Sequence, residues 1–238
     1  MIRRFSSPGF HGVGGIALGD LGVAPPAAAA VPWWLSGGIA AANCLAAYTP
    51  KGAASLAASY DNNAAPGNGL ADGTYDAAPG VAPGWDVVNG WIGGGGAYLR
   101  TGIVPISQDC AFIARYTGCG GFQCVLGCMN DTSDVRVWLY GNIGNVWYGN
   151  GASLAVGAPL VAGILAVSGA TGYRNGVADP GAIGAWVAAN TREFFLLARN
   201  QGGWGSDLFT GALQAVAIYV PAISAAQVLA VATAMAAL

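Results

Sequence analysis

Charge is what this sequence has least of. Only 8% of its 238 residues are Asp, Glu, Lys or Arg, against about 25% in an ordinary soluble domain. It holds one lysine (Lys51), one glutamate (Glu193) and one histidine (His11). Each shortage excludes something. The lone histidine, His11, lies far in sequence from the strand-rich part of the chain, so no His is expected to pair with a nucleophile there. A net charge of -2 lacks the basic footprint of nucleic-acid binding. No run of about 18 or more apolar residues is present, so membrane insertion is not expected. A surface this poor in charge keeps a free monomer in solution badly, which points to an assembly or to a surface of Asn, Ser, Thr and backbone.

What is present is glycine, alanine and aromatic residues, including eight Trp and nine Tyr. Residues 1–32 are rich in Gly, Pro and Ala without periodicity, and end in "APPAAAAVP". They read as an N-terminal arm and linker. The basic tip resembles a signal peptide, but "SPGFHG" and Asp20 interrupt any apolar segment, so an arm with uncleaved Met1 is expected. Residues 33–238 then form the folded domain. Strand-length apolar pieces such as "CAFIARYTG", "GFQCVLGCM", "VRVWLYGNI", "REFFLLARN" and "GALQAVAIYV" are separated by Gly, Asn and Asp. Asn175-Gly176 is a hairpin signal, because both turn residues must accept positive φ. The last segment, "SAAQVLAVATAMAAL", reads as a helix capped by Ser224 with Gln227 three residues on, packed through Val228, Leu229, Val231 and Leu238. The expected fold is all-β, a two-sheet antiparallel jelly-roll sandwich with a short C-terminal helix and an extended N-terminal arm.

Four of the five cysteines lie between Cys110 and Cys128. Period-two spacing puts Cys110, Phe112, Ala114 and Tyr116 on one strand face, and Phe122, Cys124, Leu126 and Cys128 on another. Free cysteine packs as a small hydrophobe. Four and three residues separate Cys119, Cys124 and Cys128, which is not the spacing of zinc pairs. Buried thiols rank first, one Cys110–Cys128 disulfide second and a metal third.

Three stretches carry a resemblance to a known family: "GWIGGGGAYLRTGIVP", "ILAVSGATGYRNGV" and "LFTGALQAVAIYVPAISAAQVLAV". They resemble a strand pair, a hairpin strand, and the closing strand and helix start of the concanavalin A-like lectin/glucanase superfamily, specifically its laminin-G-like jelly rolls from phages and bacteria. Ile223 stands where that pattern usually has Leu. The resemblance covers about residues 33–238. It implies a jelly roll that binds glycans or proteins, serves as a virion or surface module, or hydrolyses β-glucans.

The family's glucanases use a Glu-x-Asp-x-x-Glu strand, and glycoside hydrolysis needs two carboxyl groups. Glu193 stands alone here, so a β-glucan hydrolase ranks last and the chain is read as a non-enzyme. Glycan binding needs exposed rings beside hydrogen-bonding groups. "GWDVVNGW" offers Trp85, Asp86 and Asn89; "VWYGNG" offers Trp147, Tyr148 and Asn150; "ARNQGGWGSD" offers Asn200, Trp204 and Asp207, with Trp204 the ring expected to be most exposed. Each cluster has a plain alternative as core Trp and turn Asn or Asp. Many family members carry calcium, and Asp61, Asn62, Asp72 and Asp76 are hard oxygen ligands in one turn-rich loop. Low charge and the Gly/Pro-rich arm favour a phage virion component, such as a capsid decoration, tail or fibre protein, held through its arm to itself or to other virion proteins. The alternative is a secreted or cell-surface carbohydrate-binding lectin-like protein.

Overall fold

The computed structural model describes residues 30–130, 135–141, 145–151, 154–188 and 190–238. The arm expected over residues 1–32 falls almost wholly outside them. Among the described residues the chain makes two sheets, of eight and nine strands, and a helix at Ala225–Ala236. The fold is therefore an all-β sandwich with a short C-terminal helix.

The eight-stranded sheet is built around Ala111–Thr117, which lies between Gly163–Ser168 and Ala212–Tyr219, antiparallel to both. Cys44–Tyr48 adds to the far side of Ala212–Tyr219. Phe112, Ala114, Tyr116, Leu165, Val167, Val216 and Ile218 turn inward to the main core. The alternate residues Ala111, Ile113, Ile164, Ala166, Ala215, Ala217 and Tyr219 turn outward. An outward row this apolar needs a cover. The C-terminal helix provides it with Val228, Val231, Ala232 and Met235. Ser224 and Gln227 form the expected capping box, and Arg115 Nη1 donates to the Met235 carbonyl at 2.6 Å, meeting the negative end of the helix dipole. Leu229 was expected in that interface, but it is exposed. Met235, one turn and a half further on, takes the buried position.

The second sheet carries the strands Gln123–Met129, Arg136–Gly141 and Val146–Gly151 side by side, with Phe195–Leu196 and Tyr98–Arg100 beyond Gln123–Met129. Asn175 and Gly176, with φ of 50° and 82°, join Thr171–Arg174 to Val177–Ala178 as the hairpin signal required. "REFFLLARN" is not one strand. Leu197 adopts φ 65° and divides it into Phe195–Leu196 and Arg199–Gln201.

All five cysteines are buried free thiols. Their faces differ from a uniform period of two. The register shifts between Cys124 and Leu126, so this bulge breaks the alternation. Val125, Leu126 and Cys128 face the main core, Cys124 lies on the opposite face, and Phe122 is exposed.

Candidate functional site

Register across the nine-stranded sheet identifies its outward face. Trp138 is paired with Gly127 on one neighbouring strand and Gly149 on the other; Tyr140 is paired with Cys124 and Trp147; Arg136 is paired with Met129 and Gly151. Directly paired residues point to the same side. Val137 and Leu139, between them in sequence, belong to the inner core. The strand Arg136–Gly141 thus alternates core aliphatics with an outward Arg-Trp-Tyr row.

The two glycines make this possible. A Cβ on Gly127 would stand 2.5 Å from Trp138 Cβ, and one on Gly149 would stand 2.9 Å from Trp138 Cδ1 and Nε1. Both are closer than carbon atoms can pack. With those positions empty, the Trp138 indole lies down on the sheet and is only 4% exposed. Tyr140 packs edge-on to it at 5.1 Å between ring centroids. Phe122 covers Tyr140 at 4.3 Å and meets Trp147 edge-on at 5.9 Å. Trp138 and Tyr140 are the floor of this group; Phe122, 50% exposed, and half-buried Trp147 are its rim.

Polar groups flank the rings. The Arg199 guanidinium lies over Trp138 at 5.2 Å and pairs with Asp207 at 2.9 Å. It also donates to Ser206 and Gln201. Asp207 accepts the Tyr140 hydroxyl. Burial drives the Tyr140 phenol far above its ordinary range, with the Cys124 thiol and the Asp207 bond adding to the effect. Tyr140 therefore acts here as a neutral hydrogen-bond donor. Arg136 approaches the same indole, 5.9 Å from its centroid.

Beyond Phe195, which stacks on Tyr98 at 4.7 Å, a polar cleft of about 330 Å3 is lined by Arg100, Thr191, Arg192, Glu193, Asn200 and Gly203, among others. Glu193 pairs with Arg100 at 2.6 Å and accepts the Gly102 amide at 2.6 Å, which occupies both its oxygens.

The residues singled out from sequence scatter over the molecule. Trp85 donates its indole N–H to the Pro50 carbonyl at the edge of the other sheet. Asp86 and Asn89 bond one another and close a turn; the bonds from Asn89 and Val88 hold the Asp86 carboxyl below its usual range. Tyr148 and Asn150 lie inside the sandwich. Tyr148 donates to Asp179 at 2.5 Å, while Asn150 donates to the Gln108 and Gly169 carbonyls and accepts from Trp186. Neither reaches solvent, so neither can meet a sugar. Asn200 is also buried, bonded to Glu193 O and Gly203 N. Trp204 is 62% exposed at the tip of its hairpin. Asp207 alone of the set joins the aromatic group, with Trp147 beside it. Trp138, Tyr140, Arg136, Phe122 and Arg199 were missed. The period-two order Arg136, Trp138, Tyr140 against Val137 and Leu139 was the available signal.

Asp61, Asn62, Asp72 and Asp76 do line one cleft, of about 460 Å3. However, Asn62 is buried and serves the backbone: its Oδ1 accepts from Ala47 and Ala64, and its Nδ2 donates to the Leu45 and Thr74 carbonyls. Asp76 accepts the Asn62 amide at 2.8 Å. Among the described residues no three His, Cys, Asp or Glu side chains gather closely enough to hold a metal ion. Asn62 and Asp76 thus tie the loop together, while Asp61 and Asp72 line the same cleft.

No family model and no curated sequence matches the chain. Solved structures do share its fold. Trypanosoma rangeli sialidase superposes with a TM-score of 0.54 and 13% identity, over 80% of this chain and 32% of the sialidase. A mutant of that sialidase displaying trans-sialidase activity gives 0.52 and 14%, over 82% and 34%. Domain 4 of a GH43 extracellular arabinanase from Geobacillus stearothermophilus, in complex with arabinotriose, gives 0.49 and 16%, over 80% and 98%. The chain spans about a third of the length of the sialidases it matches. The two sialidase matches correct the functional expectation. The folds found are those of carbohydrate-active enzymes rather than virion proteins, which overturns the virion location, the self-assembly partners assigned to residues 1–32 and the assignment as a non-enzyme. Among the described residues no helix is long and apolar enough to cross a membrane.

Proposed function

We propose that this chain is a lectin-like glycan-recognition domain of an extracellular or cell-surface carbohydrate-active protein, and that it holds sugar on the outward face of its nine-stranded sheet. One observation carries the reading. The outward face of the eight-stranded sheet is sealed by a helix, whereas the opposite face presents Phe122 and Trp147 over Trp138 and Tyr140. Large exposed rings grouped on an otherwise well-packed sandwich mark a binding surface. The apolar face of a pyranose stacks on such rings, while its hydroxyls meet groups such as Asp207 and Gln201 beside them. The concanavalin A-like resemblance and the sandwich shared with the sialidases support the same reading.

Isothermal titration calorimetry with a panel of neutral and acidic oligosaccharides tests it. Trp147→Ala and Phe122→Ala should each weaken binding about fivefold or more, as loss of about 1 kcal/mol of ring contact implies. Trp204→Ala, at an exposed ring outside the group, should leave the affinity unchanged. Equal losses at Trp204 and Trp147, or binding that ignores both rim rings, would refute this placement.

A further inference from the structure

Arginines in this sandwich are paired with acceptors. Arg100 meets Glu193, Arg174 meets Asp179, Arg199 meets Asp207, and Arg115 meets the Met235 carbonyl. Arg136 differs. It stands on the outward face, 5.9 Å from the Trp138 centroid, and among the described residues no carboxylate or carbonyl pairs with its guanidinium. In a chain with so few charges, a cation over Trp138 that no carboxylate among the described residues pairs with, on the face that also carries Phe122 and Trp147, is a specific feature.

A second donor in the same place lacks an acceptor. Trp138 Nε1 is buried and makes no hydrogen bond among the described residues. It lies at the edge of the ring that rests over Gly149, on the side of the sheet that carries Arg136. Buried polar groups are nearly always satisfied, and exceptions call for a ligand, a water or a function. Asp207 accepts from Arg199 and Tyr140, both at Oδ2, and does not bond Trp138 Nε1. Two donors of this kind, one cationic and one neutral, select a ligand that brings its own anionic oxygen. Charge-assisted bonds from arginine to an oxyanion are the strong class of hydrogen bond.

We infer that the aromatic face takes an acidic sugar, whose carboxylate or sulfate is held by Arg136 beside Trp138 while its ring stacks on Phe122 or Trp147. This rests on the glycan-recognition reading and narrows it to one ligand class. Recognition of a single anionic group by one arginine makes the affinity fall with ionic strength. It also makes the acidic sugar bind more tightly than its neutral parent.

The test titrates the full chain with lactose, 3′-sialyllactose, lactose 3′-sulfate and trigalacturonic acid, each at low and high salt. At least one acidic sugar should bind about tenfold more tightly than lactose, and a preference between carboxylate and sulfate identifies which oxyanion fits. Arg136→Gln should bring the acidic sugar down to the lactose affinity, and Arg136→Lys should keep part of the preference. Thermal melts of both variants confirm folding. If lactose and the acidic sugars bind with the same affinity, the glycan reading stands and this inference fails. An acidic preference that survives in folded Arg136→Gln also overturns it. If no sugar binds, the glycan reading itself fails, and this inference with it.

Discussion

Gly149→Ala is the smallest change that disturbs the aromatic face. The added Cβ would stand 2.9 Å from three atoms: Trp138 Cδ1, Trp138 Nε1 and the Arg136 carbonyl oxygen. Carbon atoms in contact sit about 3.5–4.0 Å apart, so the indole must lift by about half an ångström or more. The carbonyl belongs to a paired strand and cannot yield as easily. Lifting Trp138 also presses on Tyr140 and on both guanidinium groups above it. Overpacking of this kind costs about 1–3 kcal/mol, which in a domain of this size lowers Tm by about 2–4 °C for each kcal/mol. The comparison variant is Gly121→Ala, where a Cβ meets nothing within 4 Å and stability should change by less than about 0.5 kcal/mol. Thermal melts followed by far-UV circular dichroism compare the two with the wild type. If Gly149→Ala melts with the wild type, the claim that two glycines seat Trp138 is wrong.

Two further predictions concern the scaffold. Ser224→Ala removes the side chain that accepts the Gln227 amide and half of the capping box; it should cost about 1 kcal/mol, read as a lower urea midpoint with an unchanged slope. Burial pushes the Cys44 and Cys110 thiols up to about 12 from an ordinary value of 9.0. The folded state then holds protons that the unfolded state releases, so stability is flat below pH 9 and falls as pH rises from 9 toward 12. Urea denaturation at pH 8, 9 and 10.5 checks the sign, and a stability that rises over that window would contradict it. Iodoacetamide at pH 8 should likewise leave native thiols largely unmodified over a time that labels the urea-unfolded chain.

Much of the fold was legible because local signals and tertiary demands agreed. Asn175-Gly176 specified a hairpin by its φ requirement, and Ser224 with Gln227 specified the start of a helix. Phe112, Ala114 and Tyr116 kept period two along the unbroken strand Ala111–Thr117, and Cys110 just before it joins the same core. What was not legible has a physical cause in each case. The bulge between Cys124 and Leu126 inserts one residue and reverses the faces on either side of it, and no residue type in "FQCVLGC" announces that. Leu197 at φ 65° ends a strand where composition favours its continuation. In "VWYGNG" both faces carry aromatic residues, so alternation alone cannot say whether Trp147 or Tyr148 meets solvent. Trp147 does, and Tyr148 fills the core. The candidate site suffered most from this ambiguity, because an aromatic binding face and an aromatic core are written in the same residues. Only the Arg136, Trp138, Tyr140 alternation distinguished them, through the charge at its first position.

The most direct test of the account is a crystal structure of the chain with a bound acidic oligosaccharide. The account predicts a pyranose ring stacked against Phe122 or Trp147, with its carboxylate or sulfate at the Arg136 guanidinium. A sugar seated instead at Trp204, at the Trp85 edge or in the Asp61–Asp76 cleft would contradict it.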